Sequence, residues 1–465
     1  MARQVRRPRS RVVALEKVPD RRLWMIFLIL CAGLIGLMGR MAWLQLVQTQ
    51  ALENRARQLQ TQKSQPLGRR RPIVDRTGRL VALDEKHYRL WAHPRYFNLP
   101  GDDPTAIRPA SDVAELLAEP LATSADALLE VMGEQRSGVK LREGLDPETA
   151  ATIRRLGVSG LDLEAYPQRV YPQGMLFANV VGFLNTERVP QAGLEQSRHS
   201  DLQRHEVARS LRRGADGTPL PDALEPGAFY GDDLRLQLTL DSRLQELAAK
   251  ALAEQVATWK AKKAAAIVMD VRNGELLVLA STPTYDPNRY WAFNPGRFRE
   301  WSVQDLYEPG STFKPINLAL ALQEEVIQPE DRVNDIGQLE IGGWPINNHD
   351  RKANGLIGFA KVLQVSSNVG MVQAMRSLPD GVYWDWMERL GIAMRPDTDL
   401  PGAVAGQLKT REAFVTQPIE PATTAFGQGF SLTPVKLVQL HGMLANGGRM
   451  VSPHITRGFR SGDAL

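Results

Sequence analysis

Seventeen consecutive residues without a charge, LWMIFLILCAGLIGLMG from Leu23 to Gly39, constrain this chain more than any other feature. The apolar run continues through Arg40 into MAWLQLV, Met41 to Val47. A bilayer core of about 30 Å needs roughly 20 apolar helical residues, and an arginine near one end can snorkel to the interface. Residues 23–47 therefore read as one transmembrane helix. The run exceeds the apolar region of a cleavable signal peptide, and no small-x-small cleavage site follows it. A buried core helix would need an amphipathic pattern or a partner of matching length, and neither is nearby. Charge sets the orientation. Residues 1–22 hold seven Arg and one Lys against Glu16 and Asp20, a balance of +6, whereas the whole chain carries +5. The other 443 residues thus sum to −1, which removes the case for nucleic-acid binding despite a pI near 9.2. A basic tail before the span predicts a single-pass signal anchor, tail in the cytoplasm and the remainder outside.

The only cysteine, Cys31, falls within the span, so no disulfide and no cysteine nucleophile is available to the exported part. With 43% hydrophobic and 23% charged residues, that part has a globular composition. Residues 48–65 are polar and rich in helix formers, and read as a juxtamembrane stalk. From 66 to 230, short apolar runs broken by turn chemistry such as PGDDP and YPQG suggest an irregular mixed module. At LRLQLTLD, Leu234 to Asp241, strict alternation signals a strand, and SRLQELAAKALAEQVATWK follows as a long amphipathic helix. AAAIVMDVRNGELLVLAS then reads as two strands around Arg-Asn-Gly, a type I′ hairpin signal. This order opens a second domain, 231–465, in an α+β chain. His349 and the scattered acidic residues show no metal-ligand spacing, and no metal or cofactor is expected.

YEPGSTFKP, residues 307–315, sets Ser311 three residues before Lys314, directly after a Pro-Gly turn. In a helix such a pair shares one face. Pro315 fits a first turn, whose amides lack helical partners. A serine there lies where helix amides and dipole favour an oxyanion. Its hydroxyl needs a base, and lysine serves only when neutral, which requires its pKa to fall toward 7 to 8, worth roughly 4 kcal/mol. Taken alone the tetrapeptide is weak, because a serine at a helix start is most often a cap. SSNVG, Ser366 to Gly370, supplies a second element. Ser366 and Asn368 could enter a site from one loop, to pass protons and hold an amide, although the plain alternative is again a turn or cap.

Together these pieces resemble the class B penicillin-binding proteins, for which S-x-x-K with a Ser-x-Asn element and a Lys-Thr-Gly element is characteristic. RRRPIVDRTGRLVA is similar to the first motif of their pedestal domain: Asp75, Arg76 and Gly78 match, whereas Arg71, Thr77 and Val81 replace the usual Gly, Asn and Leu. RVYPQGMLFANVVG (169–182) resembles the second, with Asn179 where His is common, and GLE at 193–195 the third. AAIVMDVRNGELLVLASTPTYDPN, YEPGSTFK, SSNVG, LPG (400–402) and AFGQGFSLTPVKL…LANGG (425–448) follow in the family's order. Glu-Pro-Gly-Ser before the lysine and Ser-Ser-Asn look like the division type.

The resemblance implies a pedestal, or dimerisation, domain at 66–230 and a transpeptidase domain of the penicillin-binding and serine β-lactamase type, an antiparallel sheet flanked by helices. It implies a bacterial inner-membrane protein that cross-links peptidoglycan at the septum. Ser311 would be the nucleophile, Lys314 the base, Ser366 the proton relay, and Asn368 the group holding the substrate amide. Stem peptides ending in D-Ala-D-Ala would be substrates, and β-lactams would acylate Ser311 as mimics. A lipid-II-polymerising glycosyltransferase and other divisome proteins would be partners. The family's Lys-Ser/Thr-Gly strand, expected after LANGG, does not occur: Lys409-Thr410 is followed by Arg411 and precedes the GQG segment. The expectation is therefore a transpeptidase domain truncated at its C-terminal side, with a noncatalytic divisome scaffold, or less favourably a serine β-lactamase, as the alternatives.

Overall fold

The computed structural model describes residues 20–48, 61–64, 69–97, 108–204, 209–212 and 233–461. The basic tail, apart from its last three residues, and most of the expected stalk lie outside the described residues. The chain forms two compact units, Met1–Pro66 with Glu206–Phe229, and Leu67–His205 with Tyr230–Leu465. In the first, Asp20–Ala42 is a 23-residue α-helix continued by a π-helical turn, Trp43–Val47. At 1.5 Å per residue the helix alone is about 35 Å long. The segment Trp24–Leu46 has a mean hydropathy of 2.1 and contains no buried residue, and it is long and apolar enough to cross a bilayer. Within the same unit Thr61–Ser64 (β1) pairs antiparallel with Arg209–Arg212 (β6). The end of the expected stalk is thus a strand rather than a helix: a backbone partner overrides a weak helix preference.

In the second unit a six-stranded sheet runs β14 (Thr456–Ser461), β7 (Leu234–Leu238), β2 (Ile73–Val74), β3 (Leu80–Ala92), β4 (Val139–Leu145), with β5 (Leu161–Val170) also on β3. All pairings are antiparallel except β2 with β7. The alternating leucines do form a strand, and Leu236, Leu238 and Leu240 are buried, but so are Gln237 and Thr239 on its other face. The Gln237 amide nitrogen donates to Arg76 O and the Thr239 hydroxyl to Leu276 O, which gives each buried side chain a backbone partner. The helices Ala110–Leu121, Ala125–Gly133 and Pro147–Arg155 close one apolar core over β3 and β4, around Leu90, Leu117 and Ile153.

The three pedestal-type segments converge on one buried ionic cluster. Arg70 and Arg169 both reach Glu195 at 2.7 Å, and Arg169 and Arg188 reach Asp84 at 3.2 and 2.8 Å. Burial would raise the Asp84 pKa, but the two guanidiniums outweigh it and hold the carboxyl below its ordinary range. Asp75 is likewise buried and ties this part to the next. It accepts from Thr77 N, Thr77 Oγ1 and Arg79 N, and from Ser242 N and Ser242 Oγ at the start of the Ser242–Trp259 helix.

The expected hairpin is present as β8 (Ala264–Met269) and β9 (Leu276–Thr282), packed on the Ser242–Trp259 helix. Its connection is not the two-residue turn that Asn-Gly suggests. Asp270 O accepts from both Asn273 N and Gly274 N, and the Asp270 carboxylate accepts from Arg272 N, so the turn starts at the aspartate and Gly274 alone takes φ +87°. A Cβ at Gly274 would stand 2.2 Å from Ser452 O, so the longer connection also lets the chain at 452 approach. Around the Lys314–Gln323 helix, two small hairpins, β10 (Arg332–Asp335) with β13 (Gly355–Gly358) and β11 (Gln338–Ile341) with β12 (Trp344–Asn347), complete the other side. That helix, Asn368–Met375, Asp380–Arg389 and Pro434–Ala445 share the largest core.

Candidate active site

Gly310 takes φ +58° and turns the chain into a short 3-10 segment, Gly310–Phe313, from which the Lys314–Gln323 helix continues with Pro315 in its first turn. Phe313 and Ile316 are fully buried, which points the alternate face, with Ser311, outward. The segment 424–432 clamps this turn. Gly310 N donates to Gly427 O at 2.8 Å, Gly429 N donates to Glu308 Oε1 at 2.9 Å, and Tyr307 and Leu432 exchange backbone hydrogen bonds. Asn317, buried on the helix, donates to both Thr424 O and Ala425 O and accepts from the Tyr383 hydroxyl. His441 Nε2 donates to Thr312 O at 2.9 Å, one residue past Ser311. None of these supports is recognisable in the sequence, since each partner lies on the order of a hundred residues away in the chain.

Lys314 is 1% exposed. Its ammonium donates to Ser366 O at 2.7 Å, Ser366 Oγ at 3.0 Å and Asn368 Oδ1 at 2.8 Å. All three acceptors are neutral, and burial lowers its pKa from 10.5 to about 8. Ser366 adopts φ +54°, a left-handed conformation that costs a non-glycine residue on the order of 1 kcal/mol or more, and this turns both its carbonyl and its hydroxyl to the lysine. Asn368 Nδ2 donates to Asn347 O at 2.9 Å, so its Oδ1 faces Lys314. Ser367 is the cap: its Oγ accepts from Gly370 N at 2.8 Å and starts the Asn368–Met375 helix.

Lys314, Ser366 and Asn368 are therefore in direct contact, and Ser311 lies exposed at the same helix start, with the hydrogen bonds of Lys314 directed to the second loop. Lys409 and Thr410 take no part: Thr410 caps the Arg411–Thr416 helix, and Lys409 lies 3.7 Å from Glu420. His349 is exposed.

A helix that starts Ser-x-x-Lys, with Ser-x-Asn against the lysine, is the arrangement of the penicillin-binding transpeptidase class. The family profile described as penicillin binding protein transpeptidase domain matches residues 264–461, and that of the penicillin-binding protein dimerisation domain residues 67–214. Penicillin binding protein 2X from Streptococcus thermophilus has the same fold, at a TM-score of 0.68 and 22% identity over 85% of this chain and 61% of that one. A peptidoglycan D,D-transpeptidase FtsI homolog from Mesostigma viride is 34% identical over 447 residues, 94% of this chain and 73% of the relative. One from Chlorokybus atmophyticus is 35% identical over 449 residues, 94% of this chain, which spans 65% of that relative's length. The chain belongs to the family of FtsI-type penicillin-binding proteins.

Proposed function

We propose that this protein is a serine peptidoglycan D,D-transpeptidase that cross-links stem peptides during division. The observation that carries the reading is Lys314: a buried lysine with no counter-ion among the described residues, one helical turn from an exposed serine. Two of its three acceptors, Ser366 O and Asn368 Oδ1, can only accept, whereas the Ser366 hydroxyl can also donate. When Lys314 is neutral, its two remaining N–H groups keep the first two partners. Its lone pair is then free to take a proton from the hydroxyl side. Ser311 Oγ attacks the carbonyl of the penultimate D-Ala while Lys314 takes its proton. The C–N bond breaks, and the departing D-Ala amine receives that proton through Ser366. In the second half an amine of a neighbouring strand attacks the ester, gives a proton to Lys314, and Ser311 Oγ leaves with one. Asn368 holds the substrate amide.

The relatives' names support the same substrate class, and β-lactams would acylate Ser311 by the first half-reaction. Residues 23–47 would anchor the protein in the bacterial inner membrane, with the basic tail in the cytoplasm, the pedestal (66–230) and transpeptidase part (231–465) outside, and a membrane glycosyltransferase and other divisome proteins as partners. A fluorescent penicillin tests this on membranes that carry the protein. Covalent labelling that is lost in Ser311→Ala, with the protein still folded, is the expected result; an unlabelled wild type overturns the reading.

A further inference from the structure

The loop that holds Lys314 is itself held from outside the helical core. Asp335, at the end of β10, and Asn348, just past β12, are both buried in the lobe of two small hairpins. Asn348 Nδ2 donates to both Asp335 oxygens at 2.8 Å and to Lys352 O at 2.9 Å. Its Oδ1 accepts from Asn368 N at 2.9 Å, Val369 N at 3.2 Å and Ser367 Oγ at 3.3 Å. One amide side chain thus joins a buried carboxylate on the hairpins to the first amides of the Asn368–Met375 helix. Asp335 also accepts from Gly337 N and Asn354 Nδ2, and among the described residues no cation lies within ion-pair distance of it. Its acceptors are filled by neutral donors. That arrangement fixes which way Asn348 points, since a flipped amide would set oxygen against carboxylate and nitrogen against two N–H groups. The neighbouring Asn347 O accepts from Asn368 Nδ2 and selects the Asn368 rotamer that meets the lysine.

We propose that Asp335 and Asn348 are positioning residues of the active site: through Asn348 the hairpin lobe sets the Ser366–Asn368 loop, and thereby the place of the Lys314 amine. This deepens the transpeptidase reading and rests on it for its catalytic consequence. The dyad touches neither Ser311 nor Lys314, and acts only through the loop. A displacement of order 1 Å at a catalytic group costs about 10²-fold in rate.

The test uses Asn348→Ala, Asn348→Asp, Asp335→Asn and the double exchange Asp335→Asn/Asn348→Asp in the membrane protein, each first checked for folding by its melting curve. Asn348→Asp keeps the acceptor for Asn368 N and Val369 N but sets two carboxylates together, whereas the double exchange restores one donor amide facing one carboxylate. Three quantities are read: hydrogen exchange of the Asn368 and Val369 amides, titration of the Lys314 amine by NMR, and the rate constant of β-lactam acylation with its pH midpoint. The proposal expects the single variants to lose amide protection, to move the Lys314 midpoint, and to acylate about 10²-fold more slowly. The double exchange should recover much of all three. It is overturned if folded Asn348→Ala and Asn348→Asp proteins keep wild-type exchange and midpoint, or if their folded fraction acylates at the wild-type rate. The first two measurements need no β-lactam, so an unlabelled wild type would count against the transpeptidase reading while the positioning claim is still decided by exchange and titration.

Discussion

Two buried lysines show what one charge does in two settings. Lys314 and Lys436 both have pKa values lowered by burial from 10.5 to about 8. Lys314 has three acceptors that include a reversible hydroxyl, whereas the Lys436 amine donates to Gln439 Oε1 at 3.0 Å, one turn along its own helix. In the proposed reaction the neutral form of Lys314 is the working one, so β-lactam acylation should rise with pH and level off above about 8. A stopped-flow series from pH 6 to 10 that stays flat would remove Lys314 as the base. For Lys436 the effect falls on stability. A lysine whose folded pKa lies below its unfolded value destabilises the fold fully below the folded pKa, and the penalty fades as pH rises toward 10.5. Lys436→Met should therefore stabilise the fold by about 2 kcal/mol at pH 7, after allowing for the lost hydrogen bond. The gain should shrink by pH 10, and chemical denaturation at the two pH values checks it. The pairing of Lys314 with Ser366 and Asn368 was legible in the sequence because short motifs set it. The environment of Lys436 was not, since nothing in TPVKLVQL marks a lysine that faces inward.

At the scale of elements, the turn carrying Ser311 is pressed against the segment at 427. Gly427 takes φ +83°, and a Cβ there would stand 2.0 Å from Gly310 O. Gly427→Ala must then push the two segments apart. It should lower stability by at least about 2 kcal/mol and slow acylation by roughly 10²-fold, while a replacement at the exposed Lys409 does neither. Parallel melting curves and labelling rates of the two variants decide this. The sequence announced β7 by its alternation, and that strand formed although both its backbone partners, β2 and β14, lie far away in the chain. It misjudged two places for one reason. The end of the stalk became β1 because a partner lies near residue 210, and the Asn-Gly turn lengthened because Asp270 and the approach of Ser452 redefined it. The strand near residue 210 and Ser452 are distant in sequence, and no local preference encodes them.

For the larger unit as a whole, the sheet crosses the boundary expected near residue 231. β2 from the pedestal lies between β7 and β3, and Asp75 in the pedestal receives both the amide and the hydroxyl of Ser242. Those hydrogen bonds, with those from Thr77 and Arg79, outweigh the burial that would raise the Asp75 pKa and hold it below 3.8. Its contribution is then present at neutral pH and is lost as pH falls through the folded pKa. Asp75→Ala should cost about 3 kcal/mol or more, and calorimetry should record one cooperative transition moved to lower temperature rather than an early transition of the pedestal alone. Two separate transitions would mean that the shared sheet does not couple the parts.

The shared sheet also bears on how such proteins diversify. If β2 and β7 are neighbours in one ladder, recombination between relatives cannot exchange pedestal for pedestal at the apparent junction without also asking a foreign strand to match the register of Leu236 and Gln237. Chimeras crossed near residue 231 join β2 of one parent to β7 of the other and should fold only when the two strands match in register and facing side chains. An isolated C-terminal part begun there would present β7 as an open edge and aggregate. The inheritable piece is larger than either half.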